Sequence, residues 1–226
     1  QKYRVDGVNV ECYESLNTGF RLGIPYSIPT VASFPTFLKA VNSCKIIHAH
    51  GHPYLTSLAA GKLAKMYAKP FVLTQHNTFI EYNNMFDEVE RLNDLTVGKQ
   101  NLRDADRIIA VSGATKDYVL SLGAKPKKVK VLHNGVDVVK FRPLAGKRME
   151  MRRKLSIPES AIVVLTVRRL VYKNGVDTLI EGANIAVKKN PRIVFLAVGK
   201  GPDSESVKLR VAQLGIEDNF KLAGFV

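Results

Sequence analysis

The chain alternates apolar strands with amphipathic helices, most clearly in its last third. Residues 161–167 form a nearly unbroken apolar run, and apolar residues then recur at helical spacing from Val176 to Val187. Residues 192–198 repeat the strand, and apolar positions from Val207 to Leu214 repeat the helix. Parallel strands need long crossover connections, usually helices. The pattern therefore predicts an α/β fold with a mostly parallel sheet and helices packed on it.

Five further strand signals precede this region, with helical segments between the later ones, at residues 8–13, 45–50, 71–74, 107–111 and 128–132. The rhythm breaks over residues 141–147, where proline, glycine and charged residues follow one another. We therefore predict two domains, residues 1–142 and residues 143–226. Residues 221–226 form one more strand signal.

The chain is strongly basic, with 34 Lys and Arg against 20 Asp and Glu, a formal net charge of +14. Such a balance is typical of proteins that bind nucleic acid, anionic membranes or phosphorylated ligands. The excess is spread over both predicted domains, without a basic tail, an aromatic-interleaved basic stripe or a helix-turn-helix signal. This distribution argues against nucleic acid as a partner.

The sequence shows no secretory signal and no apolar stretch of about 18 residues. Cys12 and Cys44 lack the spacing of a metal site, which favours a reduced compartment. We expect a cytoplasmic protein. Apolar residues beyond His76 leave open peripheral contact with the cytosolic membrane surface or, equally, a helix core, namely Phe79, Tyr82, Met85 and Phe86.

Unusual polar residues follow three of the predicted strands. His50 ends the second strand, His76 and Asn77 follow the third, and Asn134 follows the fifth. Because ligands of open parallel sheets bind at the carboxyl ends of the strands, these residues are predicted to gather at one edge. The alternating histidines at 48, 50 and 52 could also suggest a metal site, but no fourth ligand stands at useful spacing, so no metal is predicted. His48, inside its strand, is expected to be a hydrogen-bonded core residue.

Two further segments occupy strand-to-helix turns in the second domain. Arg169 follows the strand at 161–167, with Lys173 four residues on, and a fixed guanidinium suits phosphate oxygens. Gly199 and Gly201 follow the strand at 192–198, where bare backbone can approach an anion. Together the two turns predict a phosphate site.

Several of these stretches resemble the large retaining glycosyltransferase family known as group one. The resemblance lies in residues 46–50, 74–76, 105–112, 133–137, 167–177 and 198–202, in family order. It implies the GT-B fold, in which two Rossmann-like domains with parallel sheets face each other across a cleft. It also implies a hexosyltransferase-type, metal-independent enzyme without a cofactor, which moves a sugar from a nucleoside-diphosphate donor to a saccharide or lipid-linked acceptor.

The resemblance also implies roles for the residues singled out above. Arg169, with Lys173, would contact the donor diphosphate, and Gly199 and Gly201 would approach the nucleotide. His76 would be the catalytic residue facing the transferred sugar. Three neighbours would lie on the sugar or acceptor side, namely His50, Asn77 and Asn134.

The chain departs from the family pattern in three places. The family's lysine normally stands immediately before the position of Gly175, which here holds Asn174, with the lysine one residue earlier. The family's first strand-helix-strand unit with its glycine-rich loop, and its C-terminal segment with paired glutamates, have no counterpart in this sequence. We therefore expect both domains to be incomplete here. The alternative is a non-catalytic nucleotide-sugar-binding or interaction module of the same fold.

Overall fold

A computed structural model of the chain describes residues 1–16, 27–81, 86–144 and 146–225, except for the side chain of Phe86. The chain divides into two compact units, Gln1–Gly135 and Val136–Val226. This division falls before the boundary predicted between residues 142 and 143. Residues 136–144 form no helix or strand and are exposed, so the segment between the two boundaries packs little against the rest of the chain. The arrangement of the two units across a cleft stays a prediction.

The first unit opens with an antiparallel hairpin of β1 (Lys2–Val5) and β2 (Val8–Glu11). Asp6 and Gly7 form its turn with φ of 49° and 84°, which suits the Asp-Gly signature of tight hairpins. The strand predicted at residues 8–13 is present as β2, but this local turn pairs it with its neighbour in sequence and not with the parallel sheet. A second short antiparallel pair follows, formed by β3 (Ser15–Leu16) and β4 (Ile28–Pro29).

The main sheet of the first unit is wholly parallel, as predicted. Its order is β5-β6-β7-β8, formed by β5 (Ile47–His50), β6 (Phe71–Gln75), β7 (Arg107–Ala110) and β8 (Val129–Val131). The helices of this unit are α1 (Phe34–Ser43), α2 (Leu55–Met66), α3 (Phe86–Asn93), α4 (Lys99–Asp104) and α5 (Gly113–Ser121). A π-helical segment, Asp94–Gly98, joins α3 to α4, and 3-10 turns occupy Val31–Ser33 and Pro126–Lys128.

The core of the first unit is centred on β6. Phe71 and Leu73 on this strand and Ile108 on the neighbouring strand are fully buried. Gly61 lets α2 approach β6 closely, since a Cβ there would lie 2.9 Å from Cε1 of Phe71. Each large apolar side chain buried in this way contributes about 1.5–3 kcal/mol to folding.

The second unit confirms the strand-helix alternation predicted for the last third of the chain. Its sheet is parallel with the order β11-β10-β9, formed by β9 (Ile162–Val167), β10 (Ile193–Val198) and β11 (Phe220–Gly224). Its helices are α6 (Lys147–Lys154), α7 (Val176–Lys189) and α8 (Ser204–Gln213), with a 3-10 turn at Tyr172–Asn174.

Both faces of this sheet carry apolar clusters. One cluster joins the sheet to α7 and α8 through residues such as Ile180, Val207 and Phe220. The other contains Ile157 and Leu196. In the described part of the chain, no helix is both long and apolar enough to cross a membrane.

Candidate functional site

A pair of histidines lies at the carboxyl ends of β5 and β6, the two adjacent strands of the first sheet. Nδ1 of His50 and Nε2 of His76 are 2.8 Å apart, a hydrogen-bond distance. The two rings are nearly parallel, with centroids 5.1 Å apart and planes inclined by 14°. One ring nitrogen must donate and the other accept, so the bond couples the tautomers of the two neutral rings: both carry the proton on Nδ1, or both carry it on Nε2. The fold thus brings together two residues that are 26 positions apart in the sequence.

His48 is a third member of this cluster. Its ring centroid lies 4.6 Å from that of His50, and its Nε2 is 2.7 Å from Oγ1 of Thr74. Partial burial, and secondarily the proximity of His50 and His76, lowers the pKa of His48 below its ordinary value. The predicted hydrogen bond is present, but the predicted core position is wrong. The side chain is only partly covered, because β5 is the outer strand of the sheet among the described residues.

The histidine cluster does not extend to a set of metal ligands. Within residues 1–16, 27–81, 86–144 and 146–225, no group of three or more His, Cys, Asp or Glu side chains is placed to hold a metal ion. Both thiols, Cys12 and Cys44, are free.

The two predicted asparagines differ in their surroundings. Asn77 is exposed directly after His76, and its backbone carbonyl accepts a hydrogen bond from Nε2 of Gln75 at 2.7 Å. Asn134 is exposed after β8, and in the described structure its side chain makes no hydrogen bond to the histidine pair. The neighbouring His133 contacts the backbone oxygen of Val111 through Nδ1 at 3.0 Å, as expected of a residue that braces a turn.

Behind the pair lies a buried polar cluster that the sequence did not reveal. Nε2 of His52 is 2.8 Å from Oδ1 of Asp94, and these side chains are only 3% and 10% exposed. The hydroxyl of Tyr118 donates to the other oxygen of Asp94. Gly98 makes room for the imidazole, since a Cβ there would lie 2.5 Å from Cδ2 of His52. The cluster anchors the loop after β5 to the π-helical segment.

The second unit has a cleft of about 480 Å³ at the carboxyl ends of β9 and β10. Its lining combines apolar and cationic side chains with bare backbone, and consists of Val167, Arg168, Arg169, Val198, Gly199, Lys200 and Phe225. Ligands of open α/β sheets bind in this position. Arg169 and Gly199 therefore line the same cleft. Gly201 and Lys173 are not part of its lining, and Lys173 lies exposed in the 3-10 turn.

The adjacent arginines of the cleft have different surroundings. Arg168 donates through Nε to Oγ1 of Thr166 at 2.7 Å and through Nη1 to the backbone oxygen of Asn174. The amide of Asn174 in turn donates to the backbone oxygen of Arg169 at 2.6 Å. The guanidinium of Arg169 has no hydrogen-bond or ion-pair partner among the described residues. Arg168 thus orders the loop, while Arg169 is free to bind an anion.

Both glycines have a structural reason to be glycines. Gly199 has φ of +137°, and a Cβ there would lie 2.0 Å from the backbone oxygen of Arg168. A Cβ on Gly201 would lie 1.8 Å from the backbone oxygen of Leu170. The two loops therefore approach each other backbone to backbone, which excludes any side chain at these positions.

The fold and the two sites define a class of protein. Each unit has a parallel sheet covered by helices, with polar or cationic groups at the carboxyl edge, as in Rossmann-like nucleotide-binding domains. The family model described as Glycosyltransferase Family 4 matches residues 3–140, and the model described as Glycosyl transferases group 1 matches residues 147–226. The match to Glycosyltransferase Family 4 spans more than half of the sequence, so the chain belongs to that family.

Curated relatives agree with this assignment. The chain is 27% identical over 204 residues to one subunit of the phosphatidylinositol N-acetylglucosaminyltransferase of Arabidopsis thaliana, covering 88% of this chain and 42% of the relative. It is 30% identical over 189 residues to 2-deoxystreptamine N-acetyl-D-glucosaminyltransferase of Streptomyces fradiae, covering 80% and 44%. The chain thus spans less than half the length of these relatives.

Solved structures support the fold. HepE of Anabaena in complex with UDP-glucose matches with a TM-score of 0.70 and 19% identity, over 86% of this chain and 52% of that one. The pneumococcal O-GlcNAc transferase GtfA, in complex with UDP and GlcNAc, matches with a TM-score of 0.57 and 16% identity, over 100% and 46%. The chain therefore has the GT-B type of α/β fold, represented in part.

Proposed function

We propose that this chain is part of a glycosyltransferase that moves a hexose from a nucleoside-diphosphate donor to a hydroxyl acceptor with retention of configuration. The observation that carries the proposal is the guanidinium of Arg169, unpaired within the described part of the chain, in the cleft beside Gly199 and Lys200. The UDP and UDP-glucose complexes of the structural neighbours support a uridine nucleotide as the first donor to test.

The cleft has the electrostatics that this chemistry requires. As the sugar C1–O bond breaks, negative charge grows on the leaving diphosphate. Preorganised cations stabilise that charge without a metal or another cofactor. In the retaining step that we propose, the acceptor oxygen bonds to C1 on the face that the diphosphate leaves, and the hydroxyl proton passes to a leaving phosphate oxygen. His76, paired with His50, would face the transferred sugar and the acceptor.

The names of the relatives suggest which acceptors to try. One relative is named for phosphatidylinositol, and a relative from Streptomyces scabiei is a D-inositol 3-phosphate glycosyltransferase, 29% identical over 184 residues. Inositol-containing acceptors, free and lipid-linked, are therefore the first to screen.

For contact with a membrane, Phe79 offers little free surface, since it is half-buried and the guanidinium of Arg91 lies 5.1 Å from its ring centroid. Tyr82, Met85 and the side chain of Phe86 lie outside the described residues.

Calorimetry tests the donor site. We expect the chain to bind UDP, and Arg169→Ala to weaken that binding about 10- to 150-fold, the equivalent of about 1.5–3 kcal/mol for hydrogen bonds to a charged group. Arg192→Ala is the matched control. It removes the same charge from the same unit, but directly before β10, at the opposite edge of the sheet.

Three outcomes separate the hypotheses. Donor binding that depends on Arg169, together with transfer by the native protein to an acceptor, supports the enzyme. Donor binding without transfer to any acceptor supports the non-catalytic module. Equal effects of the two arginine substitutions, or no binding at all, would reject the site.

A further inference from the structure

We propose that Gln75 is a positioning residue that holds the His50–His76 pair in register, an inference that rests on the proposed function for its catalytic meaning. Gln75 ends β6, directly before His76, and its side chain belongs to neither the donor cleft nor the histidine pair. It is 4% exposed. A buried carboxamide needs partners for both of its polar ends.

Those partners lie on two different loops. Oε1 of Gln75 accepts a hydrogen bond from the backbone N–H of His52 at 2.9 Å. Nε2 donates to the backbone oxygen of Asn77 at 2.7 Å. The first contact lies two residues after His50 and the second lies one residue after His76. One side chain therefore ties the loop after β5 to the loop after β6.

The Gln75 side chain connects the chain segments after β5 and β6 beyond the last backbone hydrogen bond between the two strands. The parallel ladder between β5 and β6 ends at the pairing of His50 with Thr74, followed by one bond from the N–H of Gly51 to the oxygen of Thr74. Beyond that point the strands diverge into their loops. The Gln75 carboxamide continues the cross-strand connection past the end of the ladder, where the histidine pair lies.

The far side of the first loop is fixed as well. The oxygen of His52 accepts a hydrogen bond from Nδ2 of Asn101, a fully buried residue, at 2.7 Å. The backbone of His52 is thus held by a side chain on each side. Loss of Gln75 would therefore remove the tie between the two loops, while the loop after β5 stays anchored by Asn101 and by Oγ of Ser57, which donates to the oxygen of Gly51 at 2.7 Å.

Nuclear magnetic resonance of the histidine nitrogens tests the inference on this chain. The hydrogen bond between His50 and His76 couples the tautomers of the two neutral rings, so above neutral pH both rings carry the proton on Nδ1 or both carry it on Nε2, with a nitrogen-nitrogen coupling across the bond. We expect Gln75→Leu to break this link, so that the coupling is lost and each ring changes tautomer independently. A general loss of stability would not single out these two of the five histidines.

Asp106→Ala is the matched control. Oδ2 of Asp106 accepts a hydrogen bond from the N–H of Phe71 at 2.9 Å, so the carboxylate bridges two strands at the opposite end of β6. This variant should keep the wild-type tautomer signals. If Gln75→Leu does not fold, Gln75→Met replaces it. Met fills a similar volume without the amide donor and acceptor, so both hydrogen bonds of Gln75 should be lost.

Kinetics of the native protein provide the second readout. Misplacement of a reacting group by about 1 Å can cost about 100-fold in rate. We therefore expect Gln75→Leu to lower kcat by about 10- to 100-fold with the dissociation constant for UDP changed less than twofold. If the wild type neither binds UDP nor transfers sugar, the proposed function fails, and the tautomer comparison still decides the role of Gln75. Coupled tautomers in Gln75→Leu, or in Gln75→Met where the Leu variant does not fold, or equal loss in Asp106→Ala, would overturn the inference.

Discussion

The glycines of the second unit offer a graded test of why its loops contain bare backbone. Gly182 lies within α7, and a Cβ there would meet nothing within 4 Å. Gly175 has equally open surroundings but a φ of +66°. Gly199 combines a φ of +137° with a Cβ position 2.0 Å from the backbone oxygen of Arg168. A Gly→Ala substitution therefore meets no obstacle at Gly182, a conformational cost at Gly175, and a conformational cost plus a backbone overlap at Gly199.

These differences predict an order of stabilities. Gly182→Ala should stabilise the second unit by about 0.5–1 kcal/mol, because alanine loses less entropy than glycine in a helix. Gly175→Ala should cost about 1–2 kcal/mol, the penalty of a left-handed conformation with a Cβ. Gly199→Ala should cost about 2–6 kcal/mol, since about 1–3 kcal/mol of backbone strain adds to a similar cost of overpacking.

Urea denaturation with hydrogen exchange resolved by unit would measure these changes. In a thermal melt, 1 kcal/mol corresponds to about 4–8 °C for a domain of 60–100 residues. The first unit, unaltered in every variant, is the internal reference. A Gly199→Ala protein as stable as Gly175→Ala would refute the packing argument and leave ligand approach as the reason for this glycine.

Two further predictions concern the first unit. Asp94→Ala should destabilise it by about 1–3 kcal/mol in urea, because the buried imidazole of His52 loses its polar neighbour, whereas Glu88→Ala on the exposed surface should change little. The pKa of His48 lies below its ordinary value in the folded protein, so the unfolded chain binds more protons than the folded chain. The contribution of His48 to the free energy of unfolding is therefore complete above about pH 6.5 and is lost as the pH falls through the folded-state pKa. Melting temperatures between neutral and mildly acidic pH should therefore fall more steeply for the wild type than for His48→Asn.

The sequence predicted the regular part of the fold because each element carries its own periodic signal. The apolar runs at 161–167 and 192–198 became the parallel strands β9 and β10, of which β10 is buried and β9, at the edge of the sheet, is largely exposed. The strand predicted at residues 8–13 lies outside the parallel sheet because of a local signal. Asp6 and Gly7 are a hairpin signature, and they outweigh the tendency of an apolar strand to join the main sheet.

The candidate site was predictable only where residues fall at strand ends. That rule placed His50 beside His76 and Arg169 beside Gly199. It could not find the pairing of His52 with Asp94, because a π-helical segment supplies the carboxylate and no spacing rule links the two. Nor could it find the role of Gln75, whose importance comes from two backbone groups that belong to other residues.

The net charge of +14 does not measure the positive charge available to a ligand, because several basic side chains bind the protein's own carbonyl oxygens. Nζ of Lys69 donates to the oxygen of Val41 at 2.5 Å, and Nζ of Lys128 donates to that of Ala105 at 2.5 Å. The buried guanidinium of Arg152 donates to three carbonyl oxygens that follow α6, those of Pro158, Glu159 and Ala161.

Net charge therefore overstates the cation density available to a ligand. Arg168 and Arg169 show the distinction at one site, since within the described residues the first is held by the protein and the second is not. A substitution of Arg168 would disorder the loop as well as remove a charge, so weaker nucleotide binding in that variant would not identify a contact. The side chain of Arg169 does not brace the loop in this way, so its substitution tests anion binding with the least disturbance of the loop.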